Sequence, residues 1–359
     1  MNKLYNTSKI TDSLLKWYRV NKRDLPWRKS KDIYSIWLSE VMLQQTQVDT
    51  VIPFYSKWLK QYPTIQNVAN AKEKDLLKIW EGLGYYNRCR NFHKSAKIII
   101  KHHNGLIPHD YKDLIALPGI GPYIASAVLS IANGIPLPAI DGNIKRVLSR
   151  LLRIKQDTPF NIKKIKTQIQ KWMENAHPGD INEALMDLGS SICRPNQAHC
   201  YVCPLSSFCG AYTSGVPESY PQTVNSKPIP NYSVVTGLIW KNNRFLIMKR
   251  EEKNHLGGLW EFPGGKTKKN ETFETALKRE IKEECGLSIN VGKKIGKIKH
   301  LYSHFSIDMH AFHCTSKNGN KLTTDQPYSW VFPEQVSQYP FPKANHKIFK
   351  LLEEQNWND

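Results

Sequence analysis

The 359-residue sequence lacks long hydrophobic runs, although apolar residues make up 40% of the chain. A helix that crosses a bilayer needs about 20 consecutive apolar residues, and no such stretch occurs, so no membrane-spanning helix is indicated. The first ten residues also lack the apolar centre of a signal peptide. We therefore expect a cytoplasmic protein of bacterial type, associated with the nucleoid if it binds DNA.

Acidic residues are scarce: 31 aspartates and glutamates stand against 51 lysines and arginines, which leaves a formal net charge of +20. Such an excess attracts polyanions at long range. Nucleic acid is the first candidate partner and an anionic membrane surface is the second. A generally basic protein without either partner remains a third interpretation. Charge therefore suggests a partner and says nothing about chemistry.

The sequence changes in character along its length, which is sufficient for two domains with separate cores. Residues 1–213 repeat apolar side chains at helical spacing, as in Ile181, Leu185 and Leu188. Prolines then accumulate, which predicts a linker over residues 214–231. Residues 232–359 combine β-rich runs with one helix near 272–284, so this half is predicted to be α+β.

Only seven cysteines occur, yet four of them lie close together: Cys193, Cys200, Cys203 and Cys209. Without a secretory signal, such a group favours metal binding over disulfides. Zinc sites usually present two close cysteine pairs, whereas here only Cys200 and Cys203 form one. The spacing therefore favours an iron–sulfur cluster, and zinc and a chance grouping remain the alternatives.

Two glycines, Gly119 and Gly121, are separated by one residue in the segment Leu117–Tyr123. They permit a tight turn between helices. Their amides, together with the N-terminus of a helix that starts near Pro122, can bind a phosphate group. An ordinary helical hairpin with a glycine turn is the alternative interpretation.

Two carboxylates are candidates for glycosidic bond cleavage, a reaction that needs a proton donor and a negative charge beneath the sugar. Glu40 lies four residues after Ile36 and three after Trp37, beside an apolar stripe, where burial should raise its pKa. Asp141 precedes a predicted helix, where Asp is a favoured N-cap. A salt-bridged or edge glutamate and a simple helix cap are the alternatives.

These motifs resemble those of the endonuclease III and MutY glycosylases, a helix–hairpin–helix family of base-excision enzymes. The resemblance spans residues 8–213 and rests on five segments: Trp37–Val48 (WLSEVMLQQTQV), Gly82–Tyr86 (GLGYY), Leu117–Gly121 (LPGIG), Met186–Gly189 (MDLG) and the cysteine spacing. It implies an all-α helix–hairpin–helix glycosylase domain with one [4Fe–4S] cluster that orders a DNA-contacting loop and is not the catalyst.

The resemblance also implies roles for individual residues. Glu40 would protonate adenine at nitrogen 7 and later activate water, and Asp141 would stabilise the sugar cation or capture it transiently. Tyr123 and Asn143 would support this site. Gln45 and Tyr85 would wedge into the duplex while adenine is flipped out. The full set of implied DNA contacts in this half is Trp27, Arg28, Gln45, Leu83, Tyr85, Gly119 and Gly121.

Tyr123 carries a further implication for the reaction. In bifunctional relatives this position, two after the second hairpin glycine, is a lysine whose amine forms a Schiff base and leads to strand cleavage. A phenol cannot form that adduct. We therefore predict base removal without efficient lyase activity.

The C-terminal half matches the Nudix box, G-x5-E-x7-R-E-I-x-E-E-x-G-L, from Gly265 to Leu287. Glu280, Glu283 and Glu284 fall on one face of a helix, where such a trio can hold Mg²⁺ against a diphosphate. A solvated acidic face is the alternative. MutY proteins carry a Nudix-like domain with a degraded box, whereas this chain keeps every position. Mg²⁺ binding at the box, or nucleotide hydrolysis, therefore stays open.

The segment Tyr302-Ser303-His304 occupies the place where the MutY family has its Phe-Ser-His reader of 8-oxoguanine. The aromatic ring would stack, Ser303 would hydrogen-bond near the oxidised edge, and His304 would assist. The replacement of Phe by Tyr is a mild departure. A core aromatic followed by an ordinary turn is the alternative.

The leading hypothesis is a monomeric, monofunctional glycosylase that excises adenine paired with 8-oxoguanine or guanine in double-stranded DNA. Three rival functions remain. The Nudix box could provide the main activity with the helical half as a DNA tether, the protein could bind lesions without catalysis, or it could excise thymine glycol or another mismatched base. The carboxylate pair argues against the second, and the glutamine-rich stretch after Glu40 argues against the third.

Overall fold

The computed structural model describes residues 7–222, 228–251, 254, 256–302, 304–317 and 321–357. Contacts along the chain group the described residues into two compact units. The first contains residues 7–71 and 91–222, and the second contains residues 72–90 together with those from 228 onward. Among the described residues, no helix has both the length and the apolar character that a membrane crossing requires.

The helices are numbered in chain order over the described residues. They are α1 (Thr7–Asn21), α2 (Ile33–Leu43), α3 (Val48–Gln61), α4 (Ile65–Asn70), α5 (Glu73–Trp80), α6 (Asn87–His102), α7 (Tyr111–Ile115), α8 (Pro122–Asn133), α9 (Gly142–Leu152), α10 (Pro159–Met173), α11 (Pro178–Ser191), α12 (Gly210–Thr213), α13 (Phe273–Cys285) and α14 (Lys343–Glu354). Helices α5, α13 and α14 belong to the second unit, and α6 begins in the second unit and continues in the first.

Local sequence sets the ends of the helices that build the first unit. The Asp32 carboxylate caps α2 by accepting from the Ser35 amide, and Pro122 occupies the first turn of α8. Helix α8 ends at Gly134, whose φ of 68° few other residues adopt. Helix α2 packs against α8, and α11 packs against both α8 and α9. This packing brings together the helices that carry the candidate catalytic residues.

A buried apolar cluster holds α1, α9, α10 and α11 together, and each helix contributes one stripe to it. Its members include Ile10, Leu14, Ile144, Leu148, Ile165, Ile169, Trp172, Ile181, Leu185 and Leu188. The predicted apolar stripe of α11 therefore faces the core.

A mixed sheet forms the centre of the second unit. Its strands are β1 (Asn231–Lys241), β2 (Arg244–Lys249), β3 (Trp260–Glu261), β4 (Gly264–Lys266), β5 (Ile289–Leu301), β6 (Ser306–Ser316) and β7 (Tyr328–Val331). The order is β3-β2-β1-β6-β5, with β4 paired to β1 and β7 to β2. The β1–β6 pair is parallel, and the other pairs are antiparallel.

Alternating side chains along these strands divide the apolar residues between two cores. On β2, Phe245 and Ile247 face the cluster that contains α14, whereas Leu246 and Met248 face the cluster that contains α13. The sheet is thus covered by one helix on each side, which is the α+β arrangement that the sequence predicts.

Candidate active site

A cleft of about 780 Å³ in the first unit is lined by all four predicted catalytic residues. Glu40 comes from α2, Tyr123 from the first turn of α8, and Asp141 and Asn143 from the start of α9. Residues separated by about a hundred positions in sequence are therefore brought together by the packing of these helices. The roles assigned to the four side chains remain predictions.

Glu40 is a buried carboxyl group, with 5% of its surface exposed. Its helix is apolar on nearly every side, so its neighbours on α2 are buried as well. Burial raises the pKa of Glu40 to about 7, and the carboxylates of Glu183 and Asp141 add to the rise. A hydrogen bond of 2.8 Å from the Tyr123 hydroxyl and the charge of Arg28 act in the opposite direction. A carboxyl group with this pKa can donate a proton near neutral pH.

Asp141 caps helix α9 and also lines the cleft, so the two interpretations of this residue hold together. Its carboxylate accepts from the Ile144 amide at 2.7 Å and from the Asn143 side-chain amide at 2.9 Å. Burial raises the pKa of Asp141, and these hydrogen bonds oppose that rise because they favour the charged form. The cap therefore holds the carboxylate in a fixed position.

Asn143 is held in turn by Arg146, a residue that sequence reasoning did not single out. The Arg146 guanidinium donates to Asn143 Oδ1 at 2.8 Å and to the Gly189 carbonyl at 2.7 Å. Helix α11 approaches closely here, because a Cβ atom on Gly189 would lie 2.6 Å from the Asn143 Cβ. The motif that contains Gly189 thus permits contact between α9 and α11.

Arg28 lines the cleft and belongs to a buried ion-pair network. It donates to Glu183 at 2.8 Å and to Asp187 at 2.7 Å, and Arg23 also donates to Asp187, at 2.7 Å. Glu183 faces the same cleft, and sequence reasoning missed it. Its only sequence signal is its position four residues before Asp187 on α11, which places both acids on one helix face.

Trp27 lies next to Arg28 in the 3₁₀ turn Pro26–Arg28 and also lines the cleft. Its ring is buried and meets Tyr55 edge to face, with 5.4 Å between the ring centroids. Trp27 and Arg28 therefore both contribute to the lining of the cleft.

The predicted hairpin connects α7 and α8. Gly119 has a φ of 79°, and a Cβ atom there would lie 2.7 Å from the Asn91 Cβ, so both conformation and space require glycine. Gly121 is the N-cap of α8, with a φ of −94° and no heavy atom within 4 Å of an added Cβ. Gly121 therefore leaves open space in front of the α8 N-terminus.

The predicted wedge residues fall in different units. Gln45 is exposed between α2 and α3, with a φ of 55°, and does not line the cleft. Tyr85 belongs to the second unit, has a φ of 51° and is 37% exposed. Leu83 in the same turn is buried, with 5% exposure, so its side chain faces protein rather than solvent.

The four clustered cysteines lie in the loop after α11, and none forms a disulfide. Burial raises the pKa of Cys203 to about 12, and the other three thiols add to the rise, so the four sulfurs share one neighbourhood. Among the described residues, no three His, Cys, Asp or Glu side chains converge closely enough to hold a single metal ion. Arg150 donates to Cys193 Sγ at 3.4 Å. Four cysteine sulfurs are a donor set that suits a [4Fe–4S] cluster as well as a zinc ion.

The Nudix box glutamates are hydrogen-bonded to other groups of the protein. Arg279 donates to Glu280 at 2.7 Å, to Glu283 at 3.2 Å and to Glu271 at 2.8 Å. Glu284 instead accepts from the Gly264 amide at 3.0 Å, and burial raises its pKa to about 7. The three carboxylates follow helical spacing as predicted, but in the described part of the chain they form no three-ligand group.

The predicted reader lies between β5 and β6. Tyr302 is half-buried against His300 and Phe305, with ring centroids 4.6 Å and 4.8 Å apart, and burial raises its pKa to about 12. His304 is exposed. Ser303 lies outside the described residues.

Two family models match the chain. Residues 38–175 match the model described as HhH-GPD superfamily base excision DNA repair protein, and residues 235–351 match the NUDIX domain. The first range contains all four predicted catalytic residues, and the second contains the predicted box.

The chain is similar over most of its length to adenine DNA glycosylases. The human protein is 30% identical over 96% of this chain and 74% of that protein. The protein of Buchnera aphidicola subsp. Acyrthosiphon pisum (strain APS) is 35% identical over 81% of this chain and 82% of that protein. A trapped endonuclease III–DNA covalent intermediate shares the fold, with a TM-score of 0.51 and 21% identity over 60% of this chain and 99% of that chain.

Proposed function

The chain belongs to the adenine DNA glycosylase family, and from that premise we propose that it excises adenine paired with 8-oxoguanine, or with guanine, in double-stranded DNA. Residues 1–213 perform the chemistry, residues 232–359 read the opposite base, and residues 214–231 link them. The protein acts as a monomer. The observation that carries this proposal is the buried Glu40, hydrogen-bonded to Tyr123 in a cleft that Asp141 also lines.

Adenine flips out of the duplex and enters the cleft beside Trp27 and Arg28. Glu40 donates its proton to nitrogen 7, and the glycosidic bond breaks with its electron pair moving to the base. The Tyr123 hydroxyl then stabilises the Glu40 carboxylate. The Asp141 carboxylate stabilises the positive charge on the sugar. Water adds to the sugar carbon, and its proton returns to Glu40.

Strand cleavage is not part of this reaction, because the cleft presents a phenol where a lyase needs an amine. Burial raises the pKa of Tyr123, so its hydroxyl stays neutral and acts as a hydrogen-bond donor. Borohydride should therefore trap no covalent complex with the wild type. It should trap one with Tyr123→Lys, provided that this variant still releases adenine.

The four clustered cysteines would hold one [4Fe–4S] cluster, which orders the loop after α11 and takes no part in base removal. Arg150 supports this loop by donating to the carbonyls of Arg194 and Pro195 at 2.6 Å and 2.8 Å. Replacing Cys200 by Ser should abolish the visible absorption of the cluster and weaken duplex binding. The Tyr302–His304 segment reads 8-oxoguanine by stacking and hydrogen bonding.

The decisive experiment is single-turnover release of adenine from an 8-oxoguanine:adenine duplex. Glu40→Gln should slow release by about 10³-fold, the scale of a lost general acid, whereas Glu174→Gln at an exposed site should not. The affinity of Glu40→Gln for the duplex should stay near that of the wild type and fall steeply with salt. Undiminished release by Glu40→Gln would remove this residue from its role.

A further inference from the structure

The turn that carries Tyr85 has a strained backbone within the second unit. Gly82, Gly84 and Tyr85 all have positive φ values, of 98°, 80° and 51°. For Tyr85 this conformation is unfavourable, and it persists only when surrounding contacts hold it. The contacts around the turn therefore decide where the Tyr85 ring stands.

One set of contacts lies within the turn segment itself. Trp80 Nε1 donates to the Gly84 carbonyl at 3.0 Å, and Arg88 Nη2 donates to the same carbonyl at 3.1 Å. The Arg88 guanidinium lies over the Trp80 ring at 5.6 Å and over the Tyr85 ring at 5.2 Å. These contacts hold the backbone of the turn and one face of the Tyr85 ring, and part of Tyr85 remains exposed.

A second set of contacts joins the turn to the C-terminal part of the same unit through Glu81. Its side chain is 10% exposed and accepts from the Phe341 amide at 2.7 Å. His346 Nε2 lies 2.8 Å from the same carboxylate oxygen, and Lys78 donates to the other oxygen. Burial acts to raise the pKa of Glu81, but these donors outweigh it and lower the pKa. Glu81 is therefore a fully satisfied buried anion.

Neighbouring residues reinforce this attachment. The Tyr86 hydroxyl accepts from the Gly82 amide at 3.2 Å and donates to the Phe341 carbonyl at 3.3 Å. Lys78 also donates to the Tyr339 carbonyl, at 3.1 Å. Residues 339–346, which lie between β7 and the first turn of α14, are thus contacted by Glu81 and by residues before and after it, Lys78 and Tyr86.

We propose that Glu81 is a positioning residue that fastens the Tyr85 turn to the 8-oxoguanine-reading part of the protein. Tyr85 and the predicted reader residue Tyr302 belong to one compact unit, so reading of the oxidised base and insertion of Tyr85 into the duplex depend on the same attachment. Breaking the attachment releases Tyr85 without touching the acid in the cleft. This inference rests on the proposed function, in which Tyr85 enters the duplex.

The test is a double-mutant cycle between Glu81 and Tyr85, read by single-turnover adenine release from an 8-oxoguanine:adenine duplex. Glu81→Ala should slow release by about tenfold, the scale of a misplaced substrate-contacting group. In a Tyr85→Ala background the same change should cost less than about twofold, because the residue through which it acts is gone. Glu354→Ala, at an exposed site on α14, is the matched control and should match the wild type in both backgrounds.

Two further variants keep the test informative if Glu81→Ala folds poorly. Glu81→Gln retains an acceptor for the Phe341 amide and should lose less activity. His346→Ala removes one partner from the other side and should lose about threefold, again only when Tyr85 is present. A duplex with 2-aminopurine as the target base should show reduced unstacking fluorescence with each of them. Equal losses in both backgrounds would overturn the proposal.

The controls separate this inference from the proposed function. If the wild type releases no adenine from either mispair, adenine excision itself fails. If the wild type is active but Tyr85→Ala is equally fast, or Glu81→Ala matches the wild type, only the positioning role fails.

Discussion

Tyr123 donates a hydrogen bond of 2.8 Å to Glu40, although the two residues lie 83 positions apart in sequence. A bond to a carboxylate favours its charged form, so Tyr123 works against the burial that raises the Glu40 pKa. The pKa of Glu40 therefore reflects two opposing effects. Burial keeps the carboxyl group protonated up to near neutral pH, and the hydrogen bond from Tyr123 stabilises the carboxylate that remains after the proton has left.

Adenine release should depend on pH through Glu40, whose pKa is about 7. In the proposed reaction the protonated form of Glu40 is the active one, so the rate should fall as pH rises above this value, by about tenfold per pH unit. Tyr123→Phe removes the hydrogen bond that lowers the pKa, so its falling limb should move to higher pH. Single-turnover rates from about pH 5 to about pH 9 measure the falling limb of the wild type and that of Tyr123→Phe. A limb that stays in place, or moves to lower pH, would contradict the assigned coupling.

Glu40 should also reduce the stability of the native protein at high pH. The unfolded carboxyl ionises near 4.5, whereas the folded one stays protonated until about 7. Native stability is therefore lost as pH rises between these two values, by up to about 3 kcal/mol in total. Glu40→Gln should unfold at higher temperature than the wild type at about pH 8 and at the same temperature at about pH 4. A variant that is less stable at both pH values would count against this account.

Local sequence predicted where the two carboxylates lie on their helices, whereas their choice as catalytic candidates came from the resemblance to the glycosylase family. The apolar residues around Glu40 fix the face of α2, and the Asp-Gly-Asn sequence at 141–143 marks the start of α9, so both positions follow from periodicity and capping. The box helix was found in the same way, from about 272 to 284 against Phe273–Cys285 in the structure.

Long-range pairings could not be predicted in this way. Arg28 and Glu183 are 155 residues apart, and nothing in either local sequence indicates the partner. Glu81 and Phe341 are 260 residues apart. Periodicity therefore assigns residues 72–90 to the helical half, although the structure groups them with the second unit. These pairs depend on which helices pack together, and a single sequence does not carry that information.

Close packing of α11 on α9 should make Gly189 sensitive to substitution. A methyl group there would lie 2.6 Å from the Asn143 Cβ, and displacing Asn143 would weaken its bond to Asp141. Gly189→Ala should slow adenine release by about tenfold or more and destabilise the protein by about 1–3 kcal/mol. Gly142→Ala adds the same group where no heavy atom lies within 4 Å, and it serves as the control. Equal rates for the two variants would show that the contact does not position the site.

The ion-pair network beside the cleft should be costly to break. The Asp187 side chain is 2% exposed and neutralises both Arg23 and Arg28. Asp187→Asn removes a negative charge that neutralises the buried Arg28 guanidinium, so the free energy of unfolding should fall by about 3 kcal/mol. Asp180→Asn, at a half-exposed position in the first turn of the same helix, should change it by less than about 1 kcal/mol. Denaturant unfolding compares the two, and similar losses would argue against a special role for the network.

Removal of divalent metal should leave adenine excision intact. Glu280 and Glu283 both contact Arg279, and Glu284 accepts from the Gly264 amide, so these side chains already have partners within the protein. Reading of the opposite base by stacking and hydrogen bonding needs no metal. For each of the two duplexes, 8-oxoguanine:adenine and guanine:adenine, the release rate in EDTA should therefore equal the rate in Mg²⁺. Glu283→Gln should behave like the wild type. A loss of preference in EDTA would assign the box to recognition. Mg²⁺-dependent turnover of a free oxidised nucleoside triphosphate, with no adenine release, would favour the rival function.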